Sequence, residues 1–426
     1  MSAAANRVAN TAACSSTLWD VVVVGGGPSG ATAACELARA GRRVVLLDRA
    51  GRIKPCGGAV PPRLLSQFEI PDHLLVARID RARMVSPSAR EVDMPIESGF
   101  VGMVDREVFD EWLRERARLT GCTRQSGTFQ SVQREHNGEF TVTYRADSAE
   151  STDSTDSAES AGAAGDASEP RAGEFTLRAR TVIGADGANS AVARQRIPDA
   201  GRVKYVAAYH EIISSPPDSD ARRCDIFYCG RVSPDFYGWV FPHGPTTSVG
   251  VGSARKGFSL RRATAVLRAE AGLTGAATVR REGAPIPMRP LRRWDDGAGV
   301  VLAGDAAGVV APASGEGIYY AMYGGQLAAQ SVDEFLSCGK PAVLRKARRR
   351  FMREHGRVFW VLGMMQWFWY RSDARRERFV SICRDPDVQR LTWQAYLHKK
   401  LVRAQPGAHL RIFLKDMAHL LGLARV

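Results

Sequence analysis

Residues 21–24 are four consecutive valines, apolar at every position, which predicts a strand buried on both faces. Gly25-Gly26-Gly27-Pro28-Ser29-Gly30 follows directly, and the small residues of 31–40 predict a helix packed closely on that strand. Gly41 ends the helix, and 43–47 predict a second strand ending at Asp48. Residues 128–134, 140–145 and 174–180 predict three strands of a meander. Two later apolar runs, 181–184 and 299–303, each lead into an aspartate turn: Ala185-Asp186-Gly187 and Gly304-Asp305-Ala306. Between these turns, 207–213, 225–228, 239–242 and 247–252 predict an antiparallel layer. Past the second turn, Ile318 begins a stretch of small residues and tyrosines that predicts another helix.

Composition adjusts this picture at the ends and in one insertion. A chain of 426 residues with 45% hydrophobic content buries a large core and divides into two or three domains. Residues 1–18 are rich in Ala, Ser and Asn and lack an apolar h-region, so they predict a disordered leader and not a secretory signal. Residues 147–173 contain no large apolar side chain and predict a disordered hairpin tip. Eight cysteines, at 14, 35, 56, 122, 224, 229, 338 and 383, form no C-x-x-C pair, which suits reduced cytosolic thiols and predicts no metal.

Charge is concentrated at the C-terminal end. Residues 341–426 hold 19 Lys/Arg against 6 Asp/Glu, so +13 of the formal +14 resides there, among the aromatics Phe359, Trp360, Trp367, Phe368, Trp369 and Tyr370. Two readings of this segment stand together: a helix seated on an anionic membrane surface, or a helical cap with a solvated basic face. The apolar stretch 358–370 is too short to span a bilayer. No nucleic-acid recognition motif accompanies the charge, so no such partner is expected.

The glycines carry the first chemistry. Gly25, Gly27 and Gly30 have the G-x-G-x-x-G spacing between a strand and a helix, and Asp48 lies 18 residues beyond Gly30. That context predicts a dinucleotide: glycines admit the pyrophosphate, the helix N-terminus supplies N–H donors, and the carboxylate takes the ribose hydroxyls. The turns at Asp186 and Asp305 lie at strand ends, where parallel sheets bind ligands. A cofactor reaching from the first turn to the helix start near Gly317 must be long, and flavin adenine dinucleotide (FAD) has that length.

The order and separation of the three turns resemble the flavoproteins that include 4-hydroxybenzoate hydroxylase. That resemblance implies that Gly25, Gly27, Gly30 and Asp48 hold the ADP part and that Arg106, Asp186 and Gly187 support the cofactor. It further implies that Gly304 and Asp305 meet the ribityl chain, and that the amides of Gly317 and Ile318 face the flavin pyrimidine edge. Narrower motifs, Lys54-Pro55-Cys56-Gly57-Gly58-Ala59-Val60-Pro61, Met84-Val85-Ser86-Pro87-Ser88, Gly102-Met103-Val104-Asp105-Arg106-Glu107 and Tyr237-Gly238-Trp239-Val240-Phe241-Pro242, resemble the geranylgeranyl reductase family. They are most similar to its chlorophyll and bacteriochlorophyll enzymes. The resemblance covers residues 20 to about 420 and implies stepwise reduction of a geranylgeranyl group to phytyl with NADPH as electron source. The acceptor it implies is either the pigment ester or geranylgeranyl diphosphate.

An isolated alkene has no carbonyl to polarise, so hydride delivery must be coupled to protonation, and the transition state gains tertiary-cation character. Tyr237, Trp239 and Phe241 alternate, so on a strand they share one side, where they either line the prenyl pocket or form a core stripe. Cys56, between Pro55 and two glycines, is either a proton relay at the flavin face or a buried small hydrophobe. An aromatic monooxygenase, a redox-neutral carotenoid cyclase and a non-catalytic membrane module are the competing readings. The expected architecture is α/β (α+β overall): a Rossmann-like FAD-binding domain at 19–205 and 291–340, an antiparallel substrate domain at 206–290 joined by 80–100, and a helical region at 341–426. The expected location is cytoplasmic, peripheral on the photosynthetic membrane.

Overall fold

The computed structural model describes residues 17–51, 53–147 and 173–399. The predicted leader and hairpin tip lie almost wholly outside the described residues, as does the basic tail beyond Lys399.

β1 (Leu18–Val24) and β2 (Val44–Asp48) run parallel with Val21 opposite Val44, and the four valines are at most 2% exposed. Between them, α1 (Pro28–Arg39) begins three residues before the small-residue run, with Pro28 in its first turn, where a missing N–H costs no helical bond. β3 (Ala59–Val60), α2 (Pro62–Gln67) and β4 (Leu75–Ile79) follow, then the hairpin of β5 (Arg81–Val85) and β6 (Glu91–Pro95). β7 (Val101–Val104) returns to pair with both β3 and β4 in a small three-stranded sheet that the sequence reading lacks. α3 (Arg106–Leu119) is capped by Asp105, whose side chain accepts from the Glu107 amide.

β8 (Thr123–Ser126) extends the first sheet beyond β2, and β9 (Thr128–Arg134), β10 (Phe140–Arg145) and β11 (Glu174–Gly184) extend it beyond β1, in the order β8-β2-β1-β11-β10-β9. The third meander strand does not stop at 180: it runs on into the strand expected at 181–184 as a single element. Its first half pairs antiparallel with β10, while its second half is parallel to β1 on one edge. α4 (Ala191–Arg196) follows the Asp186 turn.

The second large sheet has the order β16-β12-β15-β14-β13-β5-β6. It is built from β12 (Tyr205–Ser214), β13 (Arg223–Phe227), β14 (Gly238–His243), β15 (Thr246–Ser253) and β16 (Thr278–Pro287), with β5 and β6 at one end. Every pairing is antiparallel except β13 with β5. β16 and the helix α5 (Leu260–Glu270) were not among the expected elements; α5 lays Ala263 and Leu267 against Val249 and Val251 of β15.

β17 (Val300–Leu302) then returns to the first sheet, parallel to the end of β11 and on the edge that β10 has vacated. The chain closes with α6 (Ile318–Cys338), α7 (Lys346–Trp369), α8 (Asp373–Ile382) and α9 (Pro386–His398). One core surrounds the parallel sheet with α1 and α6; a second joins the inner face of β14 to α7 and α8. No helix among the described residues is long and apolar enough to cross a membrane.

Candidate functional site

The first turn is shaped by contact. Gly25 has a φ of 102°, and a Cβ on it would lie 2.4 Å from the Ala185 carbonyl oxygen; one on Gly30 would lie 1.8 Å from Gly25 O. These two glycines let β1, α1 and the Asp186 turn close on one another. Gly27 is different: it is the N-cap of α1, no side chain caps that helix, and nothing lies within 4 Å of a Cβ built there. Open space before uncapped amides at a helix N-terminus is an anion site. Ser29 adds a hydroxyl, 5% exposed and without a partner among the described residues, which a phosphate oxygen would satisfy.

Asp48 ends β2 beside Gly26, and Arg114 of α3 reaches both, at 3.3 Å from the carboxylate and 3.4 Å from Gly26 O. Burial pushes the Asp48 carboxyl above its ordinary range, opposed by the Gly26 amide and Arg114. Asp186 is committed locally: it accepts from Ser190 Oγ and from the amides of Ala191 and Val192, so it holds the start of α4. Gly187 follows it with a φ of 88°. Across the groove, Gly304 comes so close to α1 that a Cβ would lie 2.7 Å from Ser29 Cβ, bringing the first and third turns together. Asp305 is paired with Lys54 at 2.5 Å. A cavity of about 210 Å³ opens beside it, lined by Asn189, Ser190, Arg194 and Tyr205, leaving room at the carboxylate. Gly317 and Ile318 sit at the N-terminus of α6, which no side chain caps. These observations fit an extended dinucleotide such as FAD.

The second half of the site gathers on β14. Tyr237 immediately precedes the strand, and Tyr237, Trp239 and Phe241 do share one side, with ring centroids 6.1 and 6.3 Å apart in succession. Tyr237 donates to Ser314 O at 2.6 Å, fastening the stripe to the loop that leads into α6. Trp239 is 5% exposed and donates to Ser248 Oγ at 3.1 Å; Ser248 meets His210 Nδ1 at 2.8 Å, and His210 Nε2 meets Glu282 at 2.9 Å. The stripe is buried among Tyr228, Phe236, Trp369 and Tyr370, with Leu362, Met365 and Phe368 of α7 packed alongside.

Cys56 is brought to this stripe. The backbone at Gly57 lies against the Phe241 ring and that at Gly58 against His243 Nε2. The Gly58 amide donates to Cys56 Sγ at 3.4 Å. Burial holds the His243 imidazole below its ordinary value. Arg106, expected beside the cofactor, stands here: it is 6% exposed, bidentate to Asp110 at 2.7 and 2.9 Å, and its guanidinium also interacts with Cys56. Burial opposes its charge, yet Asp110 and Cys56 outweigh burial and raise it above its ordinary value.

Several residues escaped the sequence reading. Arg114, His243 and the Ser248–His210–Glu282 chain carry no local motif, and Lys54, although it opens the Cys56 motif, gives no sign of its pairing with Asp305. Glu316, between two turn glycines, forms a buried ion pair with Lys399 at the end of α9, and Tyr396 faces the ammonium at 3.9 Å. Burial pushes Glu316 up and Lys399 down, each drawn back by the other. The signal available was a lone glutamate in a glycine turn.

The family model for FAD dependent oxidoreductases matches residues 20–185, and that for the FAD binding domain matches 107–349. The geranylgeranyl diphosphate reductase of Rhodobacter capsulatus is 54% identical over 408 residues, 95% of this chain and 98% of that one. The chloroplastic geranylgeranyl diphosphate reductase of Oryza sativa is 37% identical over 94% of this chain and 86% of its own length. Among solved structures, a geranylgeranyl bacteriochlorophyll reductase-like protein from Thermoplasma acidophilum superposes with a TM-score of 0.76 at 21% identity, covering 92% of this chain and 99% of that one. A flavin-dependent brominase superposes at 0.69 and 15% identity, which shows the shared Rossmann-type flavoprotein fold. With more than half its residues in common with one such reductase along nearly its whole length, the chain belongs to the geranylgeranyl reductase family of FAD-dependent oxidoreductases.

Proposed function

We propose that this chain saturates three isolated double bonds of a geranylgeranyl group, giving phytyl, in bacteriochlorophyll or chlorophyll biosynthesis. NADPH is the electron source, and the acceptor is the geranylgeranyl pigment ester or geranylgeranyl diphosphate. The enzyme works in the cytoplasm at the surface of the photosynthetic membrane. The observation that carries this reading is the meeting of Cys56, the Tyr237-Trp239-Phe241 stripe and the Ser314–Gly317 loop at one place. The relatives, which are geranylgeranyl diphosphate reductases, support it, and they favour neither the monooxygenase nor the cyclase reading.

Bound FAD supplies the hydride when reduced. The chain's own residues have three tasks. Gly27, Ser29 and the α6 N-terminus hold the cofactor's polar groups, as their open or orphaned donors suggest. The faces of Tyr237, Trp239 and Phe241 offer π density to the developing tertiary cation and apolar surface to the prenyl tail. The tail runs along this stripe beside Leu362, Met365 and Phe368, where the flexible methionine adapts to a long chain. Cys56 Sγ gives its proton to the alkene carbon opposite the hydride, and the neighbouring Arg106 charge attracts the electrons left on sulfur.

The test is anaerobic incubation of purified enzyme with NADPH and each acceptor, followed by mass spectrometry. The expected products are heavier by successive pairs of hydrogens, up to three pairs. No mass gain on either acceptor sinks the reading, and a product formed only with oxygen returns the monooxygenase.

A further inference from the structure

We propose that the outward face of α7 is a docking surface for an anionic lipid bilayer. The proposal deepens the membrane location of the reading above and names the side chains that carry it. Along α7 and its end, Arg353, Arg357, Trp360, Met364, Trp367 and Arg371 are all exposed and spaced four, three, four, three and four residues apart. That repeat places them in one row along the helix. Trp360 is 67% exposed, Met364 47% and Trp367 65%; no other element among the described residues exposes three large apolar side chains. Indole and thioether groups in the middle of a row with arginines at both ends suit the boundary between headgroups and acyl chains.

Charge selects lipid over the other occupants. α7 holds six Lys/Arg and one acid, Glu354, which bonds with Tyr323. Arg371 lies over the Trp367 ring, 5.8 Å from its centroid. Pairing this row with a second copy, antiparallel about Met364, sets Arg357 against Arg371; parallel pairing stacks each arginine on itself. Residues 400–426 of the same chain carry five Lys/Arg against one Asp, so they too meet the row with like charge. An anionic headgroup layer neutralises all three arginines.

The inner face of α7 gives the docking a purpose. Gln366 accepts from the Ala313 amide at 3.4 Å, Tyr370 donates to Ala313 O at 3.1 Å, and Leu362, Met365 and Phe368 pack against the stripe of β14. One helix therefore separates the proposed bilayer from the reduction site, a path of about 10 Å. A prenyl tail held in lipid reaches the stripe by passing α7 alone.

The full chain is tested by co-sedimentation with vesicles of phosphatidylcholine alone and with vesicles containing about one third phosphatidylglycerol. Two variants accompany it: Trp360→Ser/Met364→Ser/Trp367→Ser and Arg353→Glu/Arg357→Glu/Arg371→Glu. The expected result is binding to the anionic vesicles at least about tenfold tighter than to neutral ones, with each variant losing about tenfold or more. Both variants keep wild-type turnover of detergent-dispersed substrate and slow on vesicle-embedded substrate. Equal binding to both compositions, or binding untouched in both variants, overturns the proposal. Self-association that the serine variant abolishes assigns the face to a second copy, and a lowered melting temperature in that variant assigns it to the protein's own chain. Sedimentation reads docking without turnover, so an inactive enzyme that still binds anionic vesicles refutes the reductase reading and leaves the docking surface standing.

Discussion

Cys56 owes its surroundings to three separate parts of the chain: the glycines that follow it, Arg106 at the start of α3, and the rings that precede and line β14. In the proposed step a thiol between a fixed cation and aromatic faces gives its proton to an alkene carbon, while a merely packed cysteine needs no arginine. Cys56→Ser keeps the size and removes the more acidic group. We expect flavin reduction by NADPH to proceed at the wild-type rate and alkene reduction to slow by about 10²–10³. Stopped-flow absorbance separates the two half-reactions, and equal rates in both would leave Cys56 a packing residue. The motif around Cys56 is legible as sequence. Its partnership with Arg106 is not, because the 49 intervening residues, including a hairpin of another sheet, do not record how they fold back on Cys56.

Among the elements, the packing of α6 on α7 has the clearest energetic consequence. Tyr319, Tyr320 and Tyr323 of α6 surround His355 of α7 with rings 5.2 to 5.9 Å away, and His355 is 1% exposed with neither nitrogen bonded among the described residues. Burial, with the charges of Arg63 and Lys399 adding to it, lowers the imidazole from its ordinary 6.5 to about 4. Below pH 6.5 the unfolded chain takes up a proton that the folded chain refuses, so stability falls with falling pH and levels off near pH 4. The cost over that window is about 3 kcal/mol. His355→Phe fills the same aromatic nest without a titrating group, so its urea midpoint should fall less than that of the wild type between pH 7 and pH 4.5. Parallel slopes for the two proteins would remove His355 from the acid response. The helices themselves follow from small-residue and apolar spacing, whereas the nest depends on the register between them, which neither helix encodes alone.

At the scale of the molecule, the cofactor groove joins β1, α1, the Asp186 turn, the Asp305 turn and α6, so occupancy should stabilise the whole. Stripped protein should melt lower than the holoenzyme, and free FAD a hundredfold above its dissociation constant should restore about 2.7 kcal/mol. Gly30→Ala should lose that response, since its Cβ would sit 1.8 Å from Gly25 O. A thermal melt with and without FAD checks both, and an unshifted wild type would sink the assignment of the groove. The β1-α1-β2 unit, the two aspartate turns and the alternation of β14 were determined by sequence alone. Their causes are local: a short, wholly apolar run of β-branched residues followed by glycines suits a doubly buried strand, glycines permit backbone paths closed to other residues, and side chains alternate along any strand. Tertiary structure alone decided that β11 serves two partners on one edge, that β16 closes the second sheet, and that Arg114 meets Asp48 and Lys399 meets Glu316. A charge or a strand edge records its need for a partner but not the partner's address, and only the packing of distant segments supplies one.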